Sequence, residues 1–139
     1  MAELNEINPE FHGFFAHLRE GRVAFPHCNA CGKLHWYPMK ICPHCQSSDI
    51  DWKPMRGAGE LWSWTVVRHP FSPAYNDKVP YVVAMVTFAE APGIRLIANI
   101  EDVPLDSLKI GMSLELAQPN SNEAMPQVLF RPSKALKAA

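Results

Sequence analysis

The chain has 139 residues, and its 13 basic and 14 acidic side chains give a formal net charge of −1 at pH 7. A domain that binds phosphate backbones carries a clear basic excess, so this balance argues against nucleic-acid binding as the main task. No apolar run approaches the about 18 residues that a membrane helix needs. The polar, acidic start from Met1 to Glu10 does not resemble an export signal, so we expect a cytoplasmic protein without a membrane span.

The first predicted element is a helix that begins near Asn8 and ends at Gly21. Asn8 suits the N-cap, Pro9 fits the first helical position, and Gly21 is a natural stop. Four apolar residues fall on one face at helical spacing. They are Phe11, Phe14, Phe15 and Leu18. We expect this face to pack on the rest of the chain, to bind a partner protein, or to do both.

The four cysteines of the chain follow as two Cys-x-x-Cys pairs. They are Cys28, Cys31, Cys42 and Cys45, with ten residues between the pairs. Two thiolates three positions apart on a tight turn face one ion, and a second such turn completes the sulfur tetrahedron that Zn²⁺ accepts. The gap is shorter than the about 15–20 residues of the usual zinc ribbon, which indicates a compact, rubredoxin-like ribbon.

Two alternatives to zinc remain at this point. Two disulfides would require an oxidising compartment, which the N-terminus does not indicate. Iron suits four thiolates as well as zinc does, although no redox-partner motif accompanies the site. Because four thiolates fill a tetrahedron, we expect His27, His35 and His44 to lie nearby without binding the metal. We predict a structural role for the ion, since a module of about 35 residues buries too little apolar surface to be stable alone.

After a connector over residues 47–59, the sequence predicts five short strands. The first strand should place Trp62, Trp64 and Val66 on one face, and the second is apolar on both faces, as in a strand covered on both sides. A helical turn over residues 104–111 falls between the third and fourth strands, which is the order of an OB-fold barrel. The strands are predicted at residues 60–71, 81–88, 94–100, 112–116 and 127–130.

The predicted fold is therefore mainly β. It consists of an N-terminal helical segment (1–24), a rubredoxin-like zinc ribbon with its connector (25–58), a five-stranded OB-fold barrel (59–132) and a flexible tail (133–139).

The loop over residues 68–80 is a candidate for a ligand-facing surface, with a plain solvated loop as the alternative. It joins the first two strands of the predicted barrel, a position that often borders the ligand in OB-folds, and it is long for such a connection. It carries His69, Phe71 and Tyr75. The chain has no Gly-x-Ser-x-Gly, phosphate-binding glycine loop or His-Glu-x-x-His motif, and no cysteine is left as a nucleophile. A binding or subunit role is thus favoured over independent catalysis.

Several segments together resemble the DUF35 family. They are Cys28-Asn-Ala-Cys31-Gly-Lys, Cys42-Pro-His-Cys45, Gly59-Glu-Leu-Trp-Ser-Trp-Thr-Val-Val67, Pro80-Tyr-Val-Val-Ala-Met-Val-Thr-Phe88 and Leu108-Lys-Ile-Gly-Met-Ser-Leu-Glu-Leu116. The resemblance implies a rubredoxin-like zinc ribbon fused to an acyl-CoA-associated OB-fold. One departure is Gln46, where rubredoxin-like knuckles often have glycine.

The resemblance also implies a function, namely that of a non-catalytic subunit paired with a thiolase-fold enzyme. The partner would perform thiolysis, condensation or retro-aldol cleavage of acyl-CoA thioesters, and this chain would shape the channel for the substrate and its CoA. The helix face with Phe11, Phe14, Phe15 and Leu18 would meet the partner, and the loop with His69, Phe71 and Tyr75 would lie near the substrate entrance. Two alternatives are a single-strand nucleic-acid module, with Trp62 or Trp64 stacking on bases, and a rubredoxin-like electron carrier.

Overall fold

The computed structural model describes residues 8–117 and 126–133. Within them the chain forms two compact units, which we call the ribbon unit (8–56, with 126–127) and the barrel unit (57–117 and 128–133). Residues 1–7 of the predicted N-terminal segment and the predicted tail beyond Ser133 lie outside the described residues. In the described part, no helix combines the length and the hydropathy needed to cross a membrane.

The ribbon unit begins with the predicted helical segment. A 3₁₀ turn over Pro9–Phe11 leads into helix α1, His12–Arg19. The side chain of Asn8 caps the turn by accepting a hydrogen bond from the backbone N–H of Glu10 at 3.1 Å. Gly21 follows the helix with φ of 85°, a conformation that a Cβ atom disfavours. Local capping chemistry therefore sets both ends of this segment.

The apolar face of α1 packs mainly inside the ribbon unit. Phe14 and Leu18 are only 2% and 1% exposed. Phe11 and Phe15 are half-buried and keep part of their rings at the surface. The indole of Trp36 joins the cluster, with its ring centroid 4.9 Å from that of Phe14 and 5.8 Å from that of Phe11. The helix thus offers only Phe11 and Phe15 of this face to an outside molecule.

Two antiparallel strands form the base of the ribbon unit. Strand β1, Ala24–Cys28, pairs with β2, Ile50–Pro54, from Ala24↔Pro54 to Cys28↔Ile50. The expectation of a plain connector over residues 47–59 is therefore wrong for β2. Residues 50–54 form a strand because they pair with a distant segment, in which Pro26 is buried and lies directly opposite Trp52.

Gly13 lies in the middle of α1, where glycine costs about 1 kcal/mol relative to alanine. A Cβ atom at this position would overlap the indole of Trp52. We expect Gly13→Ala to destabilise the protein by about 1–3 kcal/mol, because the overpacking cost exceeds the gain in helix propensity. Zinc-loaded protein unfolded by denaturant provides the measurement. An equal or higher free energy of unfolding for the variant would show that Trp52 moves aside at little cost.

The barrel unit contains five strands in a closed barrel of order β3-β4-β5-β7-β6. All neighbours are antiparallel except β5 and β7, which are parallel. A 3₁₀ turn over Leu105–Ser107 separates the third and fourth barrel strands, as predicted, so the topology is that of an OB-fold. The strands are β3 (Gly59–Val67), β4 (Tyr81–Thr87), β5 (Leu96–Ile100), β6 (Ser113–Leu116) and β7 (Leu129–Pro132).

The prediction that Trp62, Trp64 and Val66 share one face of the first barrel strand is wrong for Trp62. The register shifts between Leu61 and Ser63, which is a β-bulge. Trp64 and Val66 lie opposite the buried Ala84 and Val82, whereas Trp62 is 44% exposed. A bulge adds one residue to a strand and re-aims its side chain, which a strict two-residue alternation does not foresee.

Strand β4 is not covered on both sides, contrary to expectation. Val82, Ala84 and Val86 are buried in the barrel, at 2%, 1% and 0% exposure. The intervening residues Val83 and Met85 point outward, and Met85 is 37% exposed. Both faces of this strand are apolar in the sequence, so the pattern did not show that one face points away from the barrel core. A sheet face in contact with water is usually polar, which favoured the prediction that both faces are covered.

The remaining strands follow the predicted alternation with small shifts at their ends. In β5, Leu96, Ala98 and Ile100 are buried, while Ile97 is 50% exposed. The last strand begins later than predicted and includes Pro132. Ser133, the first residue of the predicted tail, is buried, and its backbone N–H donates to the carbonyl oxygen of Ser113 at 3.0 Å.

Candidate metal centre

Each Cys-x-x-Cys pair folds as a tight knuckle, and the two knuckles repeat the same hydrogen bonds. In the first, the N–H of Gly32 donates to the carbonyl oxygen of Cys28 at 2.8 Å. In the second, the N–H of Gln46 donates to the carbonyl oxygen of Cys42 at 2.8 Å. The backbone N–H of His44 also donates to the sulfur of Cys42 at 3.3 Å. Both knuckles therefore present their sulfur atoms from a backbone that is already ordered.

The structure brings all four predicted sulfur atoms together. The four Sγ atoms lie within 4.8 Å of one another. Two of the separations are 3.5 Å, for Cys28 and Cys45, and 3.7 Å, for Cys31 and Cys42. A disulfide requires about 2.0 Å, so the alternative of two disulfides is wrong. A tetrahedral zinc with bonds of about 2.3 Å has sulfur–sulfur edges of about 3.8 Å, which these distances match.

Burial raises the pKa of the Cys42 thiol, but the opposing effects are larger. The backbone N–H groups of Cys45 and His44, with smaller contributions from the thiols of Cys31 and Cys28, lower this pKa to about 6. The pKa of Cys28 is also lowered, chiefly by a hydrogen bond from the backbone of Cys31. At neutral pH the Cys42 sulfur therefore favours the thiolate form that binds metals, and the pKa of Cys28 is shifted in the same direction.

Cys45 behaves differently in the same cluster. The backbone N–H of Ser47 lowers its pKa, but hydrogen bonds with the other three cysteines, together with burial, raise it to about 12. A fourth thiolate would repel its neighbours unless a cation stood between them. The cluster therefore needs a bound cation to hold four thiolates at neutral pH.

The donor set fits a structural zinc ion. Cys28 and Cys42 are fully buried, and the four sulfur atoms leave no coordination position for a substrate. Such an ion links residues that are up to 17 positions apart in the sequence, and it supplies folding energy instead of reactivity.

The nearby histidines have other positions in the structure. The Nδ1 atom of His27 lies 3.3 Å from a carboxylate oxygen of Asp51, and the Nε2 atom of His44 lies 3.3 Å from the carbonyl oxygen of Leu34. His35 is only 4% exposed, and its burial lowers the pKa of the imidazole. In the part of the chain that the structure describes, the potential metal-binding group contains the four cysteines and no histidine.

The knuckles differ at the residue that follows each pair. Gly32 has φ of 75°, and the equivalent Gln46 has φ of 68°. A non-glycine residue in this region costs roughly 1–2 kcal/mol. No atom lies within 4 Å of the Cβ position at Gly32, so a substitution there acts through the backbone alone.

We expect Gly32→Ala to weaken zinc binding by about fivefold or more, and Gln46→Gly to strengthen it by a few-fold. A competition titration against a chromogenic chelator measures both effects. If the two variants shift the affinity in the same direction, the knuckles are not equivalent at this position.

The loop residues predicted to face a substrate form two ring pairs. The centroids of His69 and Phe71 are 4.9 Å apart, and Phe71 is 78% exposed. The centroids of Tyr75 and Tyr81 are 5.7 Å apart, and the Nζ atom of Lys78 lies 5.2 Å from the Tyr75 centroid. No ring contact joins the two pairs within the described residues. Their role at a substrate entrance stays a prediction.

The sequence analysis missed an exposed apolar segment between the knuckles. Tyr37, Met39 and Ile41 are 57%, 50% and 52% exposed. Tyr37 also contacts the 3₁₀ turn before α1, with its ring centroid 6.2 Å from that of Phe11. The alternation of these residues with Pro38 and Lys40 was a detectable signal, but alternation alone does not tell which side is covered.

Two family models match the chain, one over the zinc ribbon and one over the barrel. The model of the rubredoxin-like zinc ribbon domain of ChsH2 matches residues 15–51, and that of the C-terminal OB-fold domain of ChsH2 matches residues 52–118. A DUF35 domain-containing scaffold protein of Pyrococcus furiosus is 33% identical over 104 residues, which are 74% of each chain. The chain belongs to the DUF35 family.

Two solved structures also resemble this chain. The solved structure of an Ltp2-ChsH2(DUF35) aldolase superimposes with a TM-score of 0.78 at 33% identity, covering 91% of this chain and 96% of that chain. A DUF35 protein of unknown function from Sulfolobus solfataricus has a TM-score of 0.63 at 16% identity, which shows the fold alone.

A probable enoyl-CoA hydratase alpha subunit of Thermomonospora curvata is 34% identical over 127 residues. The match covers 91% of this DUF35 chain but 39% of that protein, so the hydratase subunit is much longer than the segment the two share.

Proposed function

We propose that this DUF35 chain is a non-catalytic subunit of an enzyme that acts on acyl-CoA thioesters, and that a second polypeptide with a thiolase fold carries the catalytic residues. The observation that carries the proposal is the joint occurrence of relatives named as subunit, scaffold and aldolase with a cysteine set that lies entirely in the metal cage. Thiolase-type chemistry uses a cysteine nucleophile. All four cysteines of this sequence are in the cage, and in this proposal the second polypeptide supplies that nucleophile.

The ribbon unit supports an assembly role. Its exposed large apolar side chains, Tyr37, Met39 and Ile41, lie between the knuckles. The half-buried Phe11 adjoins them through its ring contact with Tyr37. Exposed apolar surface of this kind commonly marks a protein interface. We assign the partner contact of this unit to Phe11 and Phe15, together with Tyr37, Met39 and Ile41, because Phe14 and Leu18 are already covered.

The barrel unit would contribute to the substrate channel through the loop over residues 68–80. Its ring pairs offer flat apolar surfaces, and Lys78 places a cation beside one of them. An acyl-CoA carries both apolar and phosphate groups, which such surfaces suit. In this proposal His69, Phe71 and Tyr75 line the entrance and shape it without taking part in bond breaking.

A second candidate partner is a hydratase subunit. It is favoured by the match to the probable enoyl-CoA hydratase alpha subunit, which extends over most of this chain. The two candidates differ in the catalytic chain that this subunit supports, and they share its role as an auxiliary subunit of an acyl-CoA enzyme.

Affinity purification of the tagged chain from its native host tests the proposal. We expect a second polypeptide to copurify in a fixed molar ratio, and intact-mass analysis with peptide sequencing to identify a thiolase-fold protein. A hydratase in its place would support the second candidate. A chain that is recovered alone under mild salt conditions would contradict both.

A further inference from the structure

The outer face of the barrel over β3, β4 and β5 carries two exposed apolar side chains next to each other. The register sets Ser63, Met85 and Ile97 side by side in one outward row. The next row contains Thr65, Val83 and Asn99. An antiparallel sheet with one solvated face normally turns polar side chains outward. Here Ser63, Thr65 and Asn99 are polar, but Met85 and Ile97 lie side by side on adjacent strands and are 37% and 50% exposed, so they form an apolar strip within this face.

These rows border a shallow groove of about 210 Å³. We call it the outer groove; it is lined by Ser63, Trp64, Thr65, Val83, Ala84, Met85 and Ile97. Pockets for drug-sized ligands usually have about 300–1,000 Å³. A smaller, open and apolar groove suits one anchoring side chain of a protein partner, since such anchors fill small pockets at interface centres.

The β-bulge adds a charged feature to this face. It leaves the indole of Trp62 exposed, and the guanidinium carbon of Arg95 lies 3.8 Å from the centroid of that ring. This distance is typical of a cation–π contact, which orients the guanidinium group. Among the described residues, no carboxylate lies within ion-pair distance of Arg95. An oriented and exposed guanidinium group without an acidic partner favours a carboxylate from another molecule.

We propose that the outer groove and Arg95 form a docking site on the barrel for the catalytic partner polypeptide, which inserts an apolar side chain beside Met85 and Ile97 and places a carboxylate on Arg95. This inference rests on the proposed function and adds a second contact surface, on the barrel unit, to that proposed for the ribbon unit. The bulge links the two features, because it exposes the indole on which Arg95 stacks.

The test uses as the probe the purified thiolase-fold subunit that copurifies with this chain, or the hydratase subunit if purification identifies that protein. Zinc-loaded Ile97→Asp is compared with the wild type and with Ile110→Asp. Ile110 is the matched control, because it is 74% exposed in the same unit and does not line the outer groove. Zinc content and circular dichroism establish that each variant is folded, and Met85→Lys replaces Ile97→Asp if the latter fails to fold.

We expect Ile97→Asp to weaken binding of the probe at least tenfold, and Ile110→Asp to bind like the wild type. Arg95→Glu should also weaken binding, and the remaining affinity should depend less on salt than that of the wild type, because one charge pair has been removed. Hydrogen exchange should show new protection of β4 and β5 in the wild-type complex.

Wild-type affinity for Ile97→Asp, with unchanged exchange in β4 and β5, would overturn this inference alone. A wild-type chain that forms dimers sensitive to Ile97→Asp without any partner would also overturn it, since a second copy would then occupy the groove. If the wild-type chain binds neither probe, the proposed function fails first and this inference fails with it.

Discussion

Replacing Cys42 by serine is expected to abolish stoichiometric zinc binding and to unfold the ribbon unit. Cys42 is fully buried, and the pKa of its thiol is lowered to about 6. A serine hydroxyl is a poor ligand for a site that selects soft thiolates. Structural zinc in finger peptides contributes an apparent about 10–16 kcal/mol, which equals or exceeds the about 5–15 kcal/mol stability of an ordinary domain. The ribbon unit is too small for its apolar core to replace this contribution to the free energy of folding.

Elemental analysis tests the loss of zinc, and hydrogen exchange tests the unfolding of the ribbon unit. Zinc should fall from one ion per chain to near zero, and amides in β1 and β2 should lose their protection. Amides in β4 and β5 should keep theirs, since the barrel core of Leu61, Val86 and Phe130 is built from apolar burial. Stoichiometric zinc together with protected β1 and β2 in Cys42→Ser would contradict the structural role of the cage.

His44→Ala is the matched control for the loss of a cysteine. His44 belongs to the same knuckle, but its ring faces the carbonyl oxygen of Leu34. Its backbone N–H, which donates to the sulfur of Cys42, is retained in the variant. We therefore expect one zinc per chain and a protected ribbon unit. Loss of zinc in this control would show that the imidazole supports the ion directly.

Zinc affinity is expected to fall steeply as the pH is lowered. Zinc binds thiolates, so each thiol that must lose a proton adds about a tenfold change in affinity per pH unit. The pKa of Cys45 is raised to about 12, so its proton is displaced by zinc at every pH in the working range. The pKa of Cys42 is lowered to about 6, so this residue adds its own proton only as the pH falls through that value. The affinity should therefore decrease from pH 8 downward and more steeply below pH 6.

A competition titration between pH 8 and pH 5.5, corrected for protonation of the chelator, checks this pH dependence. Proton release measured in weak buffer provides an independent count, and it should increase when the pH falls from 7 to 5.5. An affinity that does not change with pH would mean that the four sulfur atoms are thiolates before zinc binds. The stability of the ribbon unit should also decrease as the pH is lowered, because the unit then loses its metal.

The metal centre and the helix ends were predictable because their chemistry is local. Two cysteines three positions apart predict a knuckle by themselves, and the side chain of Asn8 caps the N–H of Glu10, two positions further along the chain. Burial in β5 was also predictable, since Leu96, Ala98 and Ile100 recur at every second position and the polar Arg95 and Asn99 fall on the other face. A single knuckle, a helix cap and the alternation along one strand each depend on residues that are only a few positions apart.

The features that were missed depend on pairing between distant segments. Ile50–Pro54 is a strand only because Ala24–Cys28 lies beside it. The bulge at Trp62 is visible only in the register of β3 against β4. The outward pair of Met85 and Ile97 is visible only in the register of β4 against β5, because the sequence does not show which face of a strand an apolar residue occupies. The proposed docking site on the barrel arises from these three-dimensional relations.

The proposed function assigns different tasks to the two units. The ribbon unit depends on a metal ion for its fold and exposes apolar side chains near its knuckles. The barrel unit has its own apolar core and carries both the ring-rich loop and the outer groove. A subunit that contacts a catalytic chain through two surfaces gains affinity without contributing a reactive group.

Turnover of acyl-CoA thioesters by the separate and combined polypeptides tests the central claim most directly. The zinc-loaded chain, the copurifying catalytic subunit and their equimolar mixture are assayed against the same set of acyl-CoA substrates. We predict no turnover by this chain alone, little by the catalytic subunit alone, and full activity only in the mixture. Turnover by this chain alone, or full activity of the other polypeptide without it, would contradict the claim.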